Sequence, residues 1–239
     1  MKNKIKNLLL SMWENAYLVN EKNIIDLMDK NKKAIFVDLG CDDGQWTKKV
    51  AKKIGTANIF GLDYINFQLK KANKLGIKTE KGNLNEKFPL KSNYFDVVHS
   101  NQVIEHLTEI DSYLNEIFRI LKPGGYAVIS TENLSSWHNI FALVMGWQAF
   151  SQHISKIYHI GNPMSPHFDE DLKEGWTHNI IFTFYSLQEI FKKYNFIVEE
   201  ARGAGYYPLP GIFALIDPRH SHFITVKVRK PNVSESVNR

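Results

Sequence analysis

The sequence predicts an α/β fold, a doubly wound sheet with helices on both faces. Three observations carry this expectation. Five short apolar runs alternate with amphipathic stretches between residues 34 and 131. The first run, Ala34-Ile-Phe-Val37, is apolar throughout, as suits a strand buried on both faces of a parallel sheet. Glycine and proline mark the steps between elements, most clearly from Gly40 to Gly44 and at Lys122-Pro-Gly-Gly125.

Taken in order, residues 4–30 carry Ile5, Leu8, Leu9 and Met12, then Ile24, Ile25, Leu27 and Met28, at helical spacing, which predicts a leading helix. The first strand follows and ends at Asp38. Next come helix 45–54, strand Asn58–Asp63, helix 65–75, the short strand Ile77–Lys81, strand Tyr94–Ser100 and helix 109–121. The turn at Lys122-Pro-Gly-Gly125 stops that helix before strand Tyr126–Thr131. Residues 132–180 break the rhythm. Rich in Trp, His, Asn, Pro and Gly, they are expected to form an irregular insertion over the carboxyl edge of the sheet, where substrate contacts gather. Helix Ser186–Tyr194, a strand from Phe196 to Ala201, the Gly/Pro stretch 203–211 and a last strand His222–Val228 complete the reading. The expected organisation is an N-terminal helical segment at 1–33, one domain at 34–230 that includes the insertion, and an unstructured tail at 231–239.

With 239 residues, 44% of them apolar, the chain can bury one good-sized core and has little room for two. The longest uncharged apolar stretch, Trp137 to Phe150, is interrupted by His138, Asn139 and Gln148 and is too short for a membrane span. Lys2, Lys4 and Lys6 precede only three leucines before Ser11, without a cleavage site, so a cytoplasmic address is expected. The single cysteine, Cys41, fits a reducing compartment. The net charge is +5, and residues 48–91 hold eleven lysines, which raises a nucleic-acid partner. Lys48, Lys49, Lys52 and Lys53 instead fit the solvated face of a helix, and a nucleic-acid partner is not the expectation.

A strand ending in Asp38, followed by Gly40 and Gly44 before a helix, presents backbone N–H groups at the carboxyl edge of the sheet, where polar ligand groups bind. Asp63 closes the next strand, where an acid can accept hydrogen bonds from two ribose hydroxyls. Both features also suit a nicotinamide-dependent oxidoreductase, although Gly-x-x-x-Gly lacks the third glycine of a dinucleotide loop.

Val37-Asp-Leu-Gly-Cys-Asp-Asp-Gly44, Gly61-Leu-Asp63, Gly82-Asn-Leu-Asn85, Phe95-Asp-Val-Val98 and Leu121-Lys-Pro-Gly-Gly125 form an ordered series that resembles class I S-adenosylmethionine-dependent methyltransferases. The resemblance implies a Rossmann-like sheet, mostly parallel with an antiparallel last strand. It also implies S-adenosylmethionine as cofactor. Asp38, Gly40, Asp42 and Gly44 would lie against its methionine part, Asp63 would hold the ribose, and Asn83 and Leu84 would flank the adenine. Asn101, after the fourth strand, is placed with them. Asp42 stands where the family usually has glycine, and Asn83 where it usually has aspartate. Asp tolerates a left-handed backbone and Asn keeps a carbonyl acceptor.

Methyl transfer needs the acceptor atom in line with the S–CH3 bond and, for a hydroxyl, a route for its proton. Candidates should follow the fourth strand, in Ser100-Asn-Gln-Val-Ile-Glu-His-Leu107. If that stretch is helical, Gln102, Glu105 and His106 share a face. Gln-Val-Ile-Glu-His resembles the Glu-x-x-Glu-His segment of ubiquinone-biosynthesis O-methyltransferases and small-RNA 2'-O-methyltransferases. The likeness implies a divalent cation on Glu105, His106 and a later histidine, for which His178 is the candidate. Gln102 replaces one carboxylate of that pattern, which weakens a hard-cation site. Without a metal, His106 is the preferred base, since an imidazole of pKa ~6.5 accepts protons near neutrality.

His99 lies within a strand and reads as structural, whereas His138 lies just beyond the fifth strand, where substrate should enter. Glu132-Asn-Leu-Ser-Ser-Trp-His-Asn139 and His178-Asn-Ile-Ile-Phe-Thr183 also resemble methyltransferases of surface-polysaccharide gene clusters, which implies a sugar or sugar-linked hydroxyl as acceptor. The expected function is O-methylation of a small hydroxyl-bearing molecule, the alternatives being an RNA methyltransferase and a nicotinamide-dependent oxidoreductase. The leading helix is expected to cover the active site or to pair two copies in a homodimer.

Overall fold

The computed structural model describes residues 2–168, 170–172 and 175–232. Most of the expected tail, residues 233–239, lies outside the described residues. The leading segment is one helix, α1 (Lys2–Leu27), three residues shorter than expected at its carboxyl end. Strand β1 (Ile35–Leu39) leads into α2 (Gln45–Ile54), and β2 (Asn58–Asp63) into α3 (Asn66–Lys74). The short β3 (Lys78–Lys81) and β4 (Phe95–Asn101) precede a single 3-10 turn, Ile104–His106, and α4 (Ile110–Ile120). β5 (Leu121–Glu132) enters the insertion, which contains a helix that the sequence reading lacks, α5 (Trp137–Val144). α6 (Phe184–Lys193), β6 (Ile197–Ala204), the one-turn α7 (Phe213–Ile216) and β7 (Phe223–Arg229) complete the chain.

The seven strands form one sheet in the order β3-β2-β1-β4-β5-β7-β6. The first five are parallel, and β7 runs antiparallel to both β5 and β6. The expected mostly parallel sheet with an antiparallel last strand is therefore present. Its order departs from the dinucleotide-binding order 3-2-1-4-5-6 by the strand inserted between β5 and β6.

Side-chain alternation along β1 sorts the helices onto two faces. Phe36 points to the face covered by Ile24 and Leu27 of α1, Met28 just after it, Val50 and Ile54 of α2, and Ala72 of α3. Val37 and Leu39 point to the other face, against Leu114 and Ile117 of α4 and Leu187 and Phe191 of α6. The Lys122-Pro-Gly-Gly125 segment is a bulge inside β5, not a turn before it. Leu121 already pairs with Phe95, and the register then shifts before Tyr126 meets Val97.

α1 is fixed to the carboxyl edge by polar groups. Asn20 Oδ1 accepts from Ser130 Oγ (2.9 Å) and Thr225 Oγ1 (2.8 Å), while Asn23 Nδ2 donates to the Gly203 carbonyl at 3.0 Å. Among the described residues no helix is long and apolar enough to cross a membrane.

Candidate functional site

The loop between β1 and α2 needs its glycines. Gly40 (φ 79°) donates to the Leu62 carbonyl at 2.8 Å, and Gly44 (φ 83°) to the Cys41 carbonyl at 2.9 Å. A Cβ on Gly44 would lie 2.9 Å from the Ala72 backbone, so close packing joins the left-handed geometry in requiring glycine. Asp42, at the family's glycine position, adopts φ 46°, which Asp tolerates.

Asp38 was expected to meet the cofactor, but its carboxylate is turned inward and is 2% exposed. Oδ2 accepts from Thr47 Oγ1 at 2.5 Å, and Oδ1 lies 2.6 Å from His99 Nδ1. The residue sits beneath the loop and does not face the cleft.

Asp63 joins two loops at the strand ends. Its Oδ2 accepts from the Asp42 N–H at 3.0 Å and its Oδ1 from the Ile65 N–H at 2.9 Å. A carboxylate has about four acceptor sites, so lone pairs remain for two ribose hydroxyls. Asn83 turns its carbonyl onto the Asn85 N–H (3.0 Å) and its amide onto Glu86 (2.9 Å), which leaves the neighbouring Leu84, buried in the core, as an apolar wall. Asn101 meets α1: its Oδ1 accepts from Asn20 at 3.2 Å, and its Nδ2 reaches the Tyr17 hydroxyl at 3.4 Å. Tyr17 and Asn20 were not singled out in the sequence, because only the docked helix brings them to the cleft.

The expected helical face of Gln102, Glu105 and His106 is not formed. Gln102 adopts φ 54°, and the 3-10 turn after it sends Glu105 inward. Glu105 Oε2 accepts from Thr131 Oγ1 at 2.8 Å, while its Oε1 is buried without a hydrogen-bond partner, as is Gln102 Nε2. Burial raises the Glu105 carboxyl to about 7. The returning insertion clamps this turn, with Asn179 N–H donating to the Glu105 carbonyl at 2.7 Å and Asn179 Nδ2 to the His106 carbonyl at 2.6 Å.

That clamp brings His178 to His106, ring centres 4.9 Å apart. Glu105, His106 and His178 each offer an atom within 4.8 Å of the others'. His106 Nδ1 lies 3.1 Å from the Thr177 carbonyl and His178 Nδ1 2.7 Å from the Ser151 carbonyl. A carbonyl only accepts, so each Nδ1 carries a proton, and in the neutral ring Nε2 offers the lone pair. Burial, then the His178 imidazole, push His106 below its ordinary value, which keeps it neutral and ready to accept a proton.

Glu132, at the end of β5, lies 3.8 Å from His178 and 3.7 Å from His222. Burial alone would raise its carboxyl, but the two imidazoles outweigh that and hold it well below the usual range. His138 stacks on His222 (4.6 Å) and borders Tyr207 (5.4 Å), which places it in this group. His153, 4.8 Å from His178, is pushed down to about 4 by burial and its neighbouring imidazoles. His153 carried no sequence signal, and Glu132, though it opens the Glu132–Asn139 motif, was given no site role, since the spacing of both from the trio is purely tertiary.

A family model described as "Methyltransferase domain" matches residues 30–193. The chain is 34% identical over 99 residues to a "Probable S-adenosylmethionine-dependent methyltransferase" of Mycolicibacterium smegmatis, covering 41% of this chain and 37% of that one. It is 27% identical over 190 residues to a demethylmenaquinone methyltransferase of Lactococcus lactis, covering 74% and 71%. Across these two relatives the match spans from about a third to just over two-thirds of their length. Among solved structures, an S-adenosylmethionine dependent methyltransferase from Mesorhizobium loti superposes with a TM-score of 0.58 at 16% identity, over 87% of this chain and 96% of that one.

Proposed function

The chain belongs to the class I S-adenosylmethionine-dependent methyltransferase family, and from that premise we propose that it transfers the methyl group to a hydroxyl of a small acceptor, a sugar or sugar-linked metabolite. Membership of this family sets aside the nicotinamide-dependent alternative. The observation that carries the hydroxyl reading is the meeting of Glu105, His106 and His178 at the carboxyl ends of β4 and β5, with two imidazole lone pairs and an unpaired carboxylate oxygen. A thioether leaving group needs no acid, so neutral imidazoles at this place serve an acceptor that must lose a proton. The acceptor oxygen bonds to the methyl carbon as the C–S bond breaks, S-adenosylhomocysteine leaves, and, where no cation occupies its lone pair, His106 Nε2 takes the hydroxyl proton.

The family resemblance implies a divalent cation, and the residues fit one: an orphaned buried carboxylate oxygen and two imidazoles whose Nδ1–H groups are fixed by carbonyls, as in metal-ligating histidines. Glu105, His106 and His178 would hold it, and when bound it would lower the pKa of the acceptor hydroxyl. One carboxylate with two imidazoles suits zinc, iron or manganese better than magnesium.

Calorimetry tests the cofactor. Binding of S-adenosylmethionine and S-adenosylhomocysteine is expected, and NAD binding with no response to either sulfur compound would sink the reading. Transfer of labelled methyl to a panel of free and lipid-linked sugars tests the acceptor, and metal analysis of the purified protein tests the cation. A second reading, with the hydroxyl on a largely apolar molecule, draws on residues 133–155 and 203–216, which contain no Asp, Glu, Lys or Arg and expose Val144, Leu215 and Ile216. Labelling of lipid-linked acceptors alone would favour it. An RNA acceptor would show affinity falling steeply with salt.

A further inference from the structure

Beneath the loop at 40–44 lies a buried polar network whose four members come from three elements. Asp38 of β1 and His99 of β4 are register partners in the parallel pair and are 2% and 1% exposed. Thr47 and Trp46, in the first turn of α2, complete it: Thr47 Oγ1 donates to Asp38, and Trp46 Nε1 donates to His99 Nε2 at 3.3 Å. Because the indole N–H can only donate, His99 Nε2 is an acceptor and the imidazole proton sits on Nδ1, from which it bonds Asp38.

Stability does not explain this arrangement. Two apolar side chains at these strand positions would fill the space without burying a carboxylate, which is costly to remove from water. The network has a second property. Gly44, at the N-cap of α2, has no side chain of its own to fix the helix start, and the Asp43 carboxylate that accepts from the Gln45 N–H at 3.0 Å belongs to the same loop. The first turn of α2 is tied to the sheet from below instead, through Thr47 to Asp38 and through Trp46 to His99.

We propose that His99 is the positioning residue of the cofactor loop: it orients the Asp38 carboxylate and holds the indole of Trp46, and so sets where the loop N–H groups stand at the start of α2. This rests on the S-adenosylmethionine reading of the loop. His99 touches neither cofactor nor acceptor in this scheme. Its effect is on how much of the loop's order must be established when the cofactor arrives, and preorganised N–H groups bind without that cost.

The test compares three variants by calorimetry with S-adenosylhomocysteine and by hydrogen exchange of the amides at 40–48. His99→Asn keeps a donor for Asp38 at the Nδ1 position and is expected to stay within about threefold of the unaltered protein, whereas His99→Phe, losing both bonds, is expected to bind about tenfold more weakly. Trp46→Phe removes the indole donor alone and is expected to cost about threefold. Exchange at 40–48 should speed up in His99→Phe and Trp46→Phe while the central strands keep their protection. Folded His99→Phe with affinity within twofold and unchanged exchange would overturn the proposal. If that variant does not fold, Trp46→Phe decides, and unchanged affinity and exchange there would overturn it equally. Nitrogen-15 NMR supplies a check independent of binding, because a proton on His99 Nε2 would break the network. If the unaltered protein binds no S-adenosylhomocysteine at all, the function reading fails and not the network.

Discussion

The two walls of the cleft are held by different means. On the side of the loop at 40–44, loop backbone bonds to strand backbone, as Gly40 and Cys41 do to Leu62, and Asp63 joins two loops by accepting from two backbone N–H groups. On the acceptor side, asparagine side chains replace the ladder. Asn133 donates to the Arg219 and Ser221 carbonyls, Asn139 to the Asn133 carbonyl, Asn162 to the Gln148 carbonyl and Asn179 to the His106 carbonyl. A segment without strand pairing must satisfy its buried carbonyls some other way, and short amides do so at the cost of tolerance. The loop at 40–44 combines backbone bonds with the Asp38–His99 network beneath it, whereas the insertion relies on single asparagine side chains to satisfy its carbonyls.

Four measurements break or sharpen that contrast. The largest effect is expected for His106→Ala, which should lower turnover by roughly 10²–10⁴ while S-adenosylhomocysteine affinity stays within about twofold. Turnover at the original rate would remove His106 as base. Asp63→Ala should act on the other wall, weakening S-adenosylhomocysteine binding by about 100-fold in calorimetry if, as proposed, Asp63 accepts from two ribose hydroxyls. Retained affinity would show that the cofactor lies elsewhere.

Asn133→Ala should lower stability by about 2 kcal/mol in urea unfolding, because the buried Ser221 carbonyl loses its donor while Ser135 still serves the Arg219 carbonyl, with cofactor affinity unchanged. A parallel loss of affinity would mean the walls are not separable. The smallest effect is on pH dependence. Burial raises Glu105 to about 7. Folding thus favours its protonated form, so its contribution to stability is complete below the unfolded value and is lost as pH rises through about 7. Glu105→Gln removes this loss, and its stability advantage in the presence of chelator should grow by about 1–3 kcal/mol from pH 5 to pH 8. A constant difference across that range would exclude the shift.

The same contrast decided what could be read from sequence. β1 and β2 announce themselves as apolar runs ended by Asp38 and Asp63, because a strand buried on both faces has no alternative pattern, and β4 was read as Tyr94–Ser100, one residue short of its end. The leading helix was legible, but Asn20 on its inner face carried no signal, since its partners Ser130 and Thr225 lie on distant strands. α5 was missed because Phe141, Leu143, Val144 and Met145 are exposed, which erases the polar face that marks a surface helix. Glu105 and His106 could be found, but not their geometry, since a left-handed Gln102 and a 3-10 turn replace the helix that the spacing suggests. Asp38 was assigned to the ligand because its partner His99 lies 61 residues away.

β7 is last in chain order and yet lies between β5 and β6. During synthesis the first five strands can pair as they emerge, but β5 keeps an open edge and β6 has no neighbour until Phe223–Arg229 is available. The anchors of Asn133, the Arg219 and Ser221 carbonyls, arrive just ahead of that strand. A nascent chain halted before residue 223 would thus hold an assembled cofactor loop beside an unbuilt acceptor wall.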